Sequence, residues 1–288
     1  MLTIHIHIAV CCLLASTACG ATVDKKDVSE DDFSYGVLFD AGGYSTTLKV
    51  YRVSPAESSN TLPRLDIIYS KRFAPGMDRF DDEEGLREYL TGILDSAKQN
   101  VPESKQESTP IYLFATAGLR FLTSNEATDL VENIKAVFQD SSLNPFLYKP
   151  EGVGILSGEE EGVYSWVAAN YLLGFFDEDR PDTDAVGVLE MASDSTQITF
   201  IPRNPFYAGK FQVTVRGRTF ELYVHSYLQF GIDAIKGLVA HVVAENNSYE
   251  VEMNNPCMLR GDYWNTKQSG YEVTMHGSSD PDSCKEIL

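Results

Sequence analysis

Apolar residues recur along this chain with two different periods, and the way the periods alternate predicts a mixed architecture. Alternating runs predict strands near residues 35–40, 44–53, 65–72 and 110–115. Between them, "FDDEEGLREYLTGILDSAKQNV" carries Leu86, Tyr89, Leu90, Ile93, Leu94 and Ala97 at helical spacing, the stripe of an amphipathic helix. "TSNEATDLVENIKAVFQ" opens with Thr123 and Glu126 in capping-box spacing and continues as a second such helix. A third is predicted over 159–173, with Val163, Trp166 and Val167 facing inward. Strands resume near 185–190, 195–201 and 210–224, and "HSYLQFGIDAIKGLVAHVVAE" predicts a further helix. Strands and helices are interleaved and a strand-turn-strand unit opens each half, so a two-lobed α/β fold is expected.

The two opening units share an outline. "VLFDAGGYSTTLKV" and "GVLEMASDSTQITF" each have an apolar run, an acid, a few small residues, Ser-Thr and a second alternating run. Asp40 precedes Ser45 by five positions, and Glu190 precedes Ser195 by the same five. A turn of small residues between strands lets several backbone N–H groups face one anion, and hydroxyls such as those of Ser45 and Thr46 add donors. Gly42 and Gly43 can take positive φ and admit a phosphate close to the main chain. Asp40, just before the turn, is placed to hold a metal-bound water. Either copy alone also fits an ordinary glycine-turned hairpin; the repetition is what points to phosphate.

Two other stretches carry candidate chemistry. "ATAGLRFL", Ala115 to Leu122, follows a strand and sets small residues and the Thr116 hydroxyl before a helical turn, an entry compatible with phosphate. "SGEEEGVYSWVAANYLLG" places Glu159, Glu160 and Glu161 at a helix start, where the helix dipole favours negative charge. Two of these acids suit a solvated helix end; one suits a general base acting on a water that attacks phosphorus.

Charge narrows the ligand class. The net charge of −19, from 42 acidic and 23 basic residues, argues against nucleic acid and against anionic membranes as partners. A polyphosphate would need positive charge supplied locally, by a metal ion or by backbone N–H groups. Residues 1–20, apolar from Ile8 to Ala15 with small Ala18 and Gly20, predict a secretory signal, and residues 21–33 a polar leader. No later stretch reaches the roughly 18 apolar residues of a membrane span, so a secreted or lumenal product without a transmembrane anchor is expected. Cys11, Cys12 and Cys19 would leave with the signal; Cys257 and Cys284 remain and are expected to pair. Asn246 heads an Asn-Asn-Ser glycosylation sequon.

Taken in order, "DAGGYSTTLKV", "ATAGLRFL", "SGEEEGVYSWVAANYLLG" and "STQITF" resemble the first four apyrase conserved regions of the ecto-nucleoside triphosphate diphosphohydrolases, and the likeness continues through "YVHSYLQFGIDA" and "NPCMLRGDY". The resemblance implies an actin-like, ribonuclease H-like two-lobed fold, with residues 34–155 as the first lobe and 156–288 as a partial second lobe. It implies nucleoside di- and triphosphates as substrates, Ca²⁺ or Mg²⁺ as cofactor, and water as nucleophile. Carried over by position, it makes Glu161 the base, with Ser195 and Gln197 orienting the water and Thr116 near both. The phosphate loops become Gly42, Gly43, Tyr44, Ser45 and Thr46 and, in the second copy, Ala192, Ser193, Asp194, Ser195 and Thr196. Arg120 would contact phosphate or brace the site, while Asp40 and Glu190 would hold waters around the metal.

The chain also departs from that pattern. Where the family's fourth region reads Asp-Leu-Gly-Gly-Ala-Ser-Thr-Gln, this chain has Glu190, Met191, Ala192, Ser193, Asp194, Ser195, Thr196 and Gln197. If the two lost glycines needed positive φ, their replacements would be strained by roughly 1–2 kcal/mol. Asp194 brings negative charge towards an anionic ligand, and the extra methylene of Glu190 shifts a metal-bound water by about 1 Å, which can cost on the order of a hundredfold in rate. Gly43 and Tyr44 stand for two serines, and Phe114 for a glycine. The family's fifth region has no counterpart before Leu288, so the second lobe is expected to be incomplete and to need a protein partner over its apolar faces. Two alternatives to an active enzyme stay open: a non-catalytic nucleotide-binding or interaction protein, and a truncated isoform.

Overall fold

The computed structural model describes residues 32–56, 62–80, 82–177, 180–204 and 208–287; the signal and nearly all of the polar leader lie outside them. The chain forms two compact units, one running to Glu190 and resuming over Gln197–Ser226, the other made of Met191–Thr196 and Tyr227–Leu288.

The first unit is built around a five-stranded sheet. Strands β1 (Ser34–Ala41), β2 (Thr46–Ser54) and β3 (Arg64–Phe73) form an antiparallel meander, and β4 (Pro110–Ala115) and β5 (Leu147–Ile155) add in parallel, giving the order β3-β2-β1-β4-β5. Strand alternation sends Val37, Phe39, Leu48 and Val50 to one face, where α1 (Glu83–Lys98) and α3 (Ser124–Gln139) cover them with Leu90, Ile93, Ile134 and Phe138. The short α2 (Glu103–Gln106) lies between those helices in the chain. The capping box read at Thr123 and Glu126 is formed.

Leu38 and Tyr51, on the opposite face, pack on Leu156 and on Tyr164 of α4 (Gly158–Leu172). This helix is apolar on nearly every side, which requires burial on more than one side. Its other flank, with Val163, Trp166 and Val167, meets a second sheet of β6 (Val188–Met191), β7 (Ser195–Phe200), β8 (Lys210–Val215) and β9 (Arg218–Leu228), ordered β6-β7-β9-β8. Trp166 is fully buried among Phe175, Phe176 and Phe220. Truncating it to alanine would cost about 3–5 kcal/mol.

Two boundaries and several elements differ from the sequence-based expectation. The single strand expected over 210–224 is a hairpin, because Arg216 and Gly217 take φ of 51° and 77° and turn the chain between β8 and β9. Strand β9 then runs to Leu228, into the stretch expected to be helical; Gln229 at φ 71° ends it, and Gly231 stands at the N-cap of α5 (Ile232–Asn246). Strand β5 and the sheet that follows α5 were not expected at all.

That last sheet belongs to the second unit. Strands β10 (Glu252–Asn255), β11 (Tyr263–Gln268) and β12 (Tyr271–Gly277) are ordered β10-β12-β11, and α5 buries Val239, Ala240 and Val243 against Met253, Val273 and Met275. Cys257 is disulfide-bonded to Cys284 of α6 (Pro281–Ile287), with Cα atoms 4.8 Å apart. Asn246 is exposed at the end of α5. The mixed α/β class is the one expected. Among the described residues, no helix is long and apolar enough to cross a membrane.

Candidate active site

The site is organised by the first turn of α4. Ser157 accepts a hydrogen bond from the Glu160 N–H at 3.1 Å, and Glu160 accepts one from the Ser157 N–H at 2.8 Å, so the start of the helix is fixed by a complete capping box. That consumes Glu160 and sets Glu161 on the inward side, 2% exposed. Glycines on either side let the helix approach the strands. A Cβ on Gly162 would stand 2.7 Å from Thr199 Oγ1 and 2.8 Å from Val224 Cγ1, and one on Gly158 would overlap the Ser226 side chain.

Glu161 is thereby brought to two donors. Arg120 forms an ion pair with Oε2 and also donates through Nε to the Leu156 carbonyl at 2.7 Å. Gln197 donates to the same Oε2 at 3.3 Å and to Ser226 Oγ at 3.2 Å. Both donors converge on one carboxylate oxygen, which fixes the position of Oε2. Arg120 therefore braces Glu161 in this structure. Ser226 was not singled out in the sequence, although it lies inside the quoted stretch "YVHSYLQFGIDA".

The first hairpin turns between Asp40 and Thr46. The Gly42 N–H donates to the Ser45 carbonyl at 3.0 Å, and Thr116, at the end of β4, donates its N–H to the Ala41 carbonyl at 3.0 Å. Thr46 is fully buried and Tyr44 is exposed. Gly76 closes the turn from behind, since a Cβ there would come within 2.5 Å of the Gly43 carbonyl oxygen. Neither Gly42 nor Gly43 takes positive φ, so their use here is the absence of side chains and not left-handed backbone.

The second hairpin, β6 to β7, makes the same internal hydrogen bond: the Ala192 N–H donates to the Ser195 carbonyl at 2.9 Å. Ala192, Ser193 and Asp194 all have negative φ. The anticipated backbone strain is therefore absent, because this turn does not use the left-handed region. Its carbonyls are pinned by the segment that starts α5. Ala192 O accepts from the Ile232 N–H at 2.8 Å, Ser193 O from the Asp233 N–H at 2.9 Å and the Ala234 N–H at 3.1 Å, and Asp194 O from the Gln229 N–H at 2.7 Å. In a trans peptide the C=O and the following N–H point in opposite directions. The N–H groups of Ser193 and Asp194 therefore point away from the first residues of α5 that hold the preceding carbonyls. Thr196 donates to the Phe230 carbonyl at 2.5 Å, and Ser195 is fully buried.

Electrostatics distinguish the acids that open the two turns. Burial raises the Asp40 carboxyl above its usual range, while the charges of Lys49 and Arg72 pull it back. Glu190 is pushed up to about 7, first by burial and further by the like charges of Glu161 and Asp40, against a hydrogen bond from Ser165 and the charge of Arg120. Lys49, 6% exposed, and Ser165 were not picked out by sequence reasoning. Oxygen donors carrying this much mutual repulsion suit a hard divalent cation. Among the described residues, no three acidic, histidine or cysteine side chains converge as direct ligands.

A model of the GDA1/CD39 (nucleoside phosphatase) family matches residues 26–288. Ectonucleoside triphosphate diphosphohydrolase 6 of Mus musculus is 34% identical over 257 residues, covering 83% of this chain and 53% of the relative. Nucleoside diphosphate phosphatase ENTPD5 of Homo sapiens is 36% identical over 213 residues, covering 70% and 47%. Ectonucleoside triphosphate diphosphohydrolase 2 of Homo sapiens is 31% identical over 299 residues, covering 92% and 58%. The chain thus spans about half the length of the curated relatives it matches. Among solved structures, a nucleoside triphosphate hydrolase from Neospora caninum shares the fold, with a TM-score of 0.61 at 18% identity over 82% of this chain and 51% of that one.

Proposed function

The chain belongs to the GDA1/CD39 family of nucleoside phosphatases, and on that premise we propose that it hydrolyses the terminal phosphate of nucleoside tri- and diphosphates, with Glu161 as the base. The observation that carries this is the buried Glu161 carboxylate, oriented by Arg120 and Gln197 at the start of α4. Glu161 takes a proton from water as the water oxygen bonds to the terminal phosphorus. The bond from phosphorus to the bridging oxygen breaks, and the leaving nucleotide departs with that electron pair.

Ser195 and Gln197 lie two positions apart on β7 and so project from one side of the strand; they orient the attacking water. Gly42 to Thr46 and Ala192 to Thr196 serve as the phosphate loops, with the Gly42 and Ala192 N–H groups spent on closing their own turns. Asp40 and Glu190 would hold a Ca²⁺ or Mg²⁺ ion, which would supply positive charge to the phosphate oxygens. The disulfide between Cys257 and Cys284 supports a secretory-pathway address.

Phosphate release from ATP and ADP by purified chain, in Ca²⁺ and then in excess chelator, tests this function. Release that is present with Ca²⁺ and abolished by chelator supports it. Nucleotide binding without release in either condition would leave a binding protein in its place.

A further inference from the structure

We infer that Ser165 is a positioning residue for Glu190 and that the two form a matched pair setting the reach of the second acidic arm towards the cation; this rests on the nucleotide-hydrolysing function proposed above. The two hairpins supply the contrast that motivates it. At the position before the turn the first carries Asp40 and the second carries Glu190, one methylene longer. An unsupported glutamate there would have an extra rotatable bond and no fixed carboxylate position.

Ser165 removes that freedom. It lies in α4, 7% exposed, and donates its hydroxyl hydrogen bond to Glu190 Oε2. A serine inside a helix ordinarily returns its hydroxyl to the carbonyl one turn earlier, which here is that of Glu161; this one reaches across to β6 instead. Among the described residues no other group donates to Glu190, so Oε2 is fixed by Ser165 and Oε1 remains for water. Ser165 also follows Glu161 by four residues, placing both on one helix face about one turn apart. The helix that presents the base therefore also sets the position of the longer acid.

The test is a double-mutant cycle read by calorimetric titration of Ca²⁺ into protein saturated with the non-hydrolysable analogue AMPPNP. Ser165→Ala and Glu190→Asp should each weaken Ca²⁺ binding about tenfold, the range seen when a partner of a metal-holding group is removed. The double variant should be no weaker than either single one, because all three break the same contact. In turnover, Ser165→Ala should raise the Ca²⁺ concentration giving half-maximal rate while leaving the nucleotide KM at saturating Ca²⁺ unchanged.

Unchanged Ca²⁺ affinity in Ser165→Ala would overturn the inference, as would single effects that multiply to about a hundredfold in the double variant. If Ser165→Ala fails to fold, Glu190→Asp alone decides, and an affinity equal to that of the wild type overturns the pairing. The proposed function fails separately: it falls if Glu161→Gln leaves phosphate release intact, whatever the cycle shows.

Discussion

The β1–β2 and β6–β7 hairpins make one turn out of different residues. Each has an acid five positions before a serine, and each closes with a hydrogen bond from the second residue after the acid to that serine's carbonyl, Gly42 to Ser45 and Ala192 to Ser195. Each is backed by a glycine from elsewhere in the chain, Gly76 for the first and Gly231 for the second, whose Cβ would overlap the Ser193 carbonyl. The glycines inside the first turn have no counterparts in the second, yet the second takes the same form without positive φ. What the turn requires is a bare backbone behind it. The hairpins part company at their acids: the charges of Lys49 and Arg72 act on Asp40, whereas Glu190 feels the like charges of Glu161 and Asp40 against that of Arg120 and leans on Ser165.

The largest expected effect separates the units that hold the two turns. The bond between Cys257 and Cys284 closes a loop of 27 residues beside α5, which should stabilise by about 3–4 kcal/mol on a chain-entropy basis. Replacing both cysteines with alanine should lower the melting temperature and speed hydrogen exchange in α5 and the second turn, while β1 and β2 keep their protection. Equal loss of protection in both hairpins would contradict this.

Next comes the backing glycine. Gly231→Ala drives a methyl into the Ser193 and Asp194 backbone, a clash costing about 1–3 kcal/mol, and phosphate release should fall with it. Gly76→Ala should do the same to the first turn, and somewhat less, because its nearest approach is wider. A Gly231→Ala protein with wild-type melting and turnover would show that the turn does not depend on that contact.

The acids differ in their response to pH. A carboxyl whose pKa is higher folded than unfolded binds its proton more tightly in the folded protein. For Glu190 that stabilisation is complete below the ordinary value of 4.5 and is lost as pH rises to about 7. Metal-free protein should therefore lose stability between pH 5 and pH 7 by an amount, on the order of 2 kcal/mol, that Glu190→Gln removes. Asp40→Asn should change the pH profile with the same sign, because burial raises the Asp40 carboxyl as well, with Lys49 and Arg72 opposing it. Identical pH profiles for wild type and Glu190→Gln would refute the assignment.

The smallest effect concerns the altered turn itself. Since no strain is stored at Ala192 or Ser193, the triple change Ala192→Gly, Ser193→Gly and Asp194→Ala should raise phosphate release only a few-fold, chiefly by removing one repulsive charge. A gain of a hundredfold or more would mean that the side chains themselves block phosphate.

Much of this was legible in the sequence where the signal is local. The five-residue spacing from acid to serine marks both turns, and the acids at 159–161 mark a helix start, but the choice of Glu161 among them comes from the family resemblance and not from the helix pattern. What was not legible depends on elements far apart in the chain. Ser165 meets Glu190 across 25 residues and Gln197 meets Ser226 across 29, and neither serine differs locally from a solvated one. Strand β5, "LYKPEGVGI", lacks alternation because Pro, Gly and charged residues interrupt it. The start of α5 was misplaced because "YVHSYL" fits either period; Gln229 and Gly231 decide it through their backbone conformations.

The central claim is that Glu161 activates the attacking water. Phosphate release from ATP in Ca²⁺ should therefore fall by about a hundredfold or more in Glu161→Gln, as the loss of a general base requires, with AMPPNP still bound. Release from Glu161→Gln equal to that of the wild type would contradict the account.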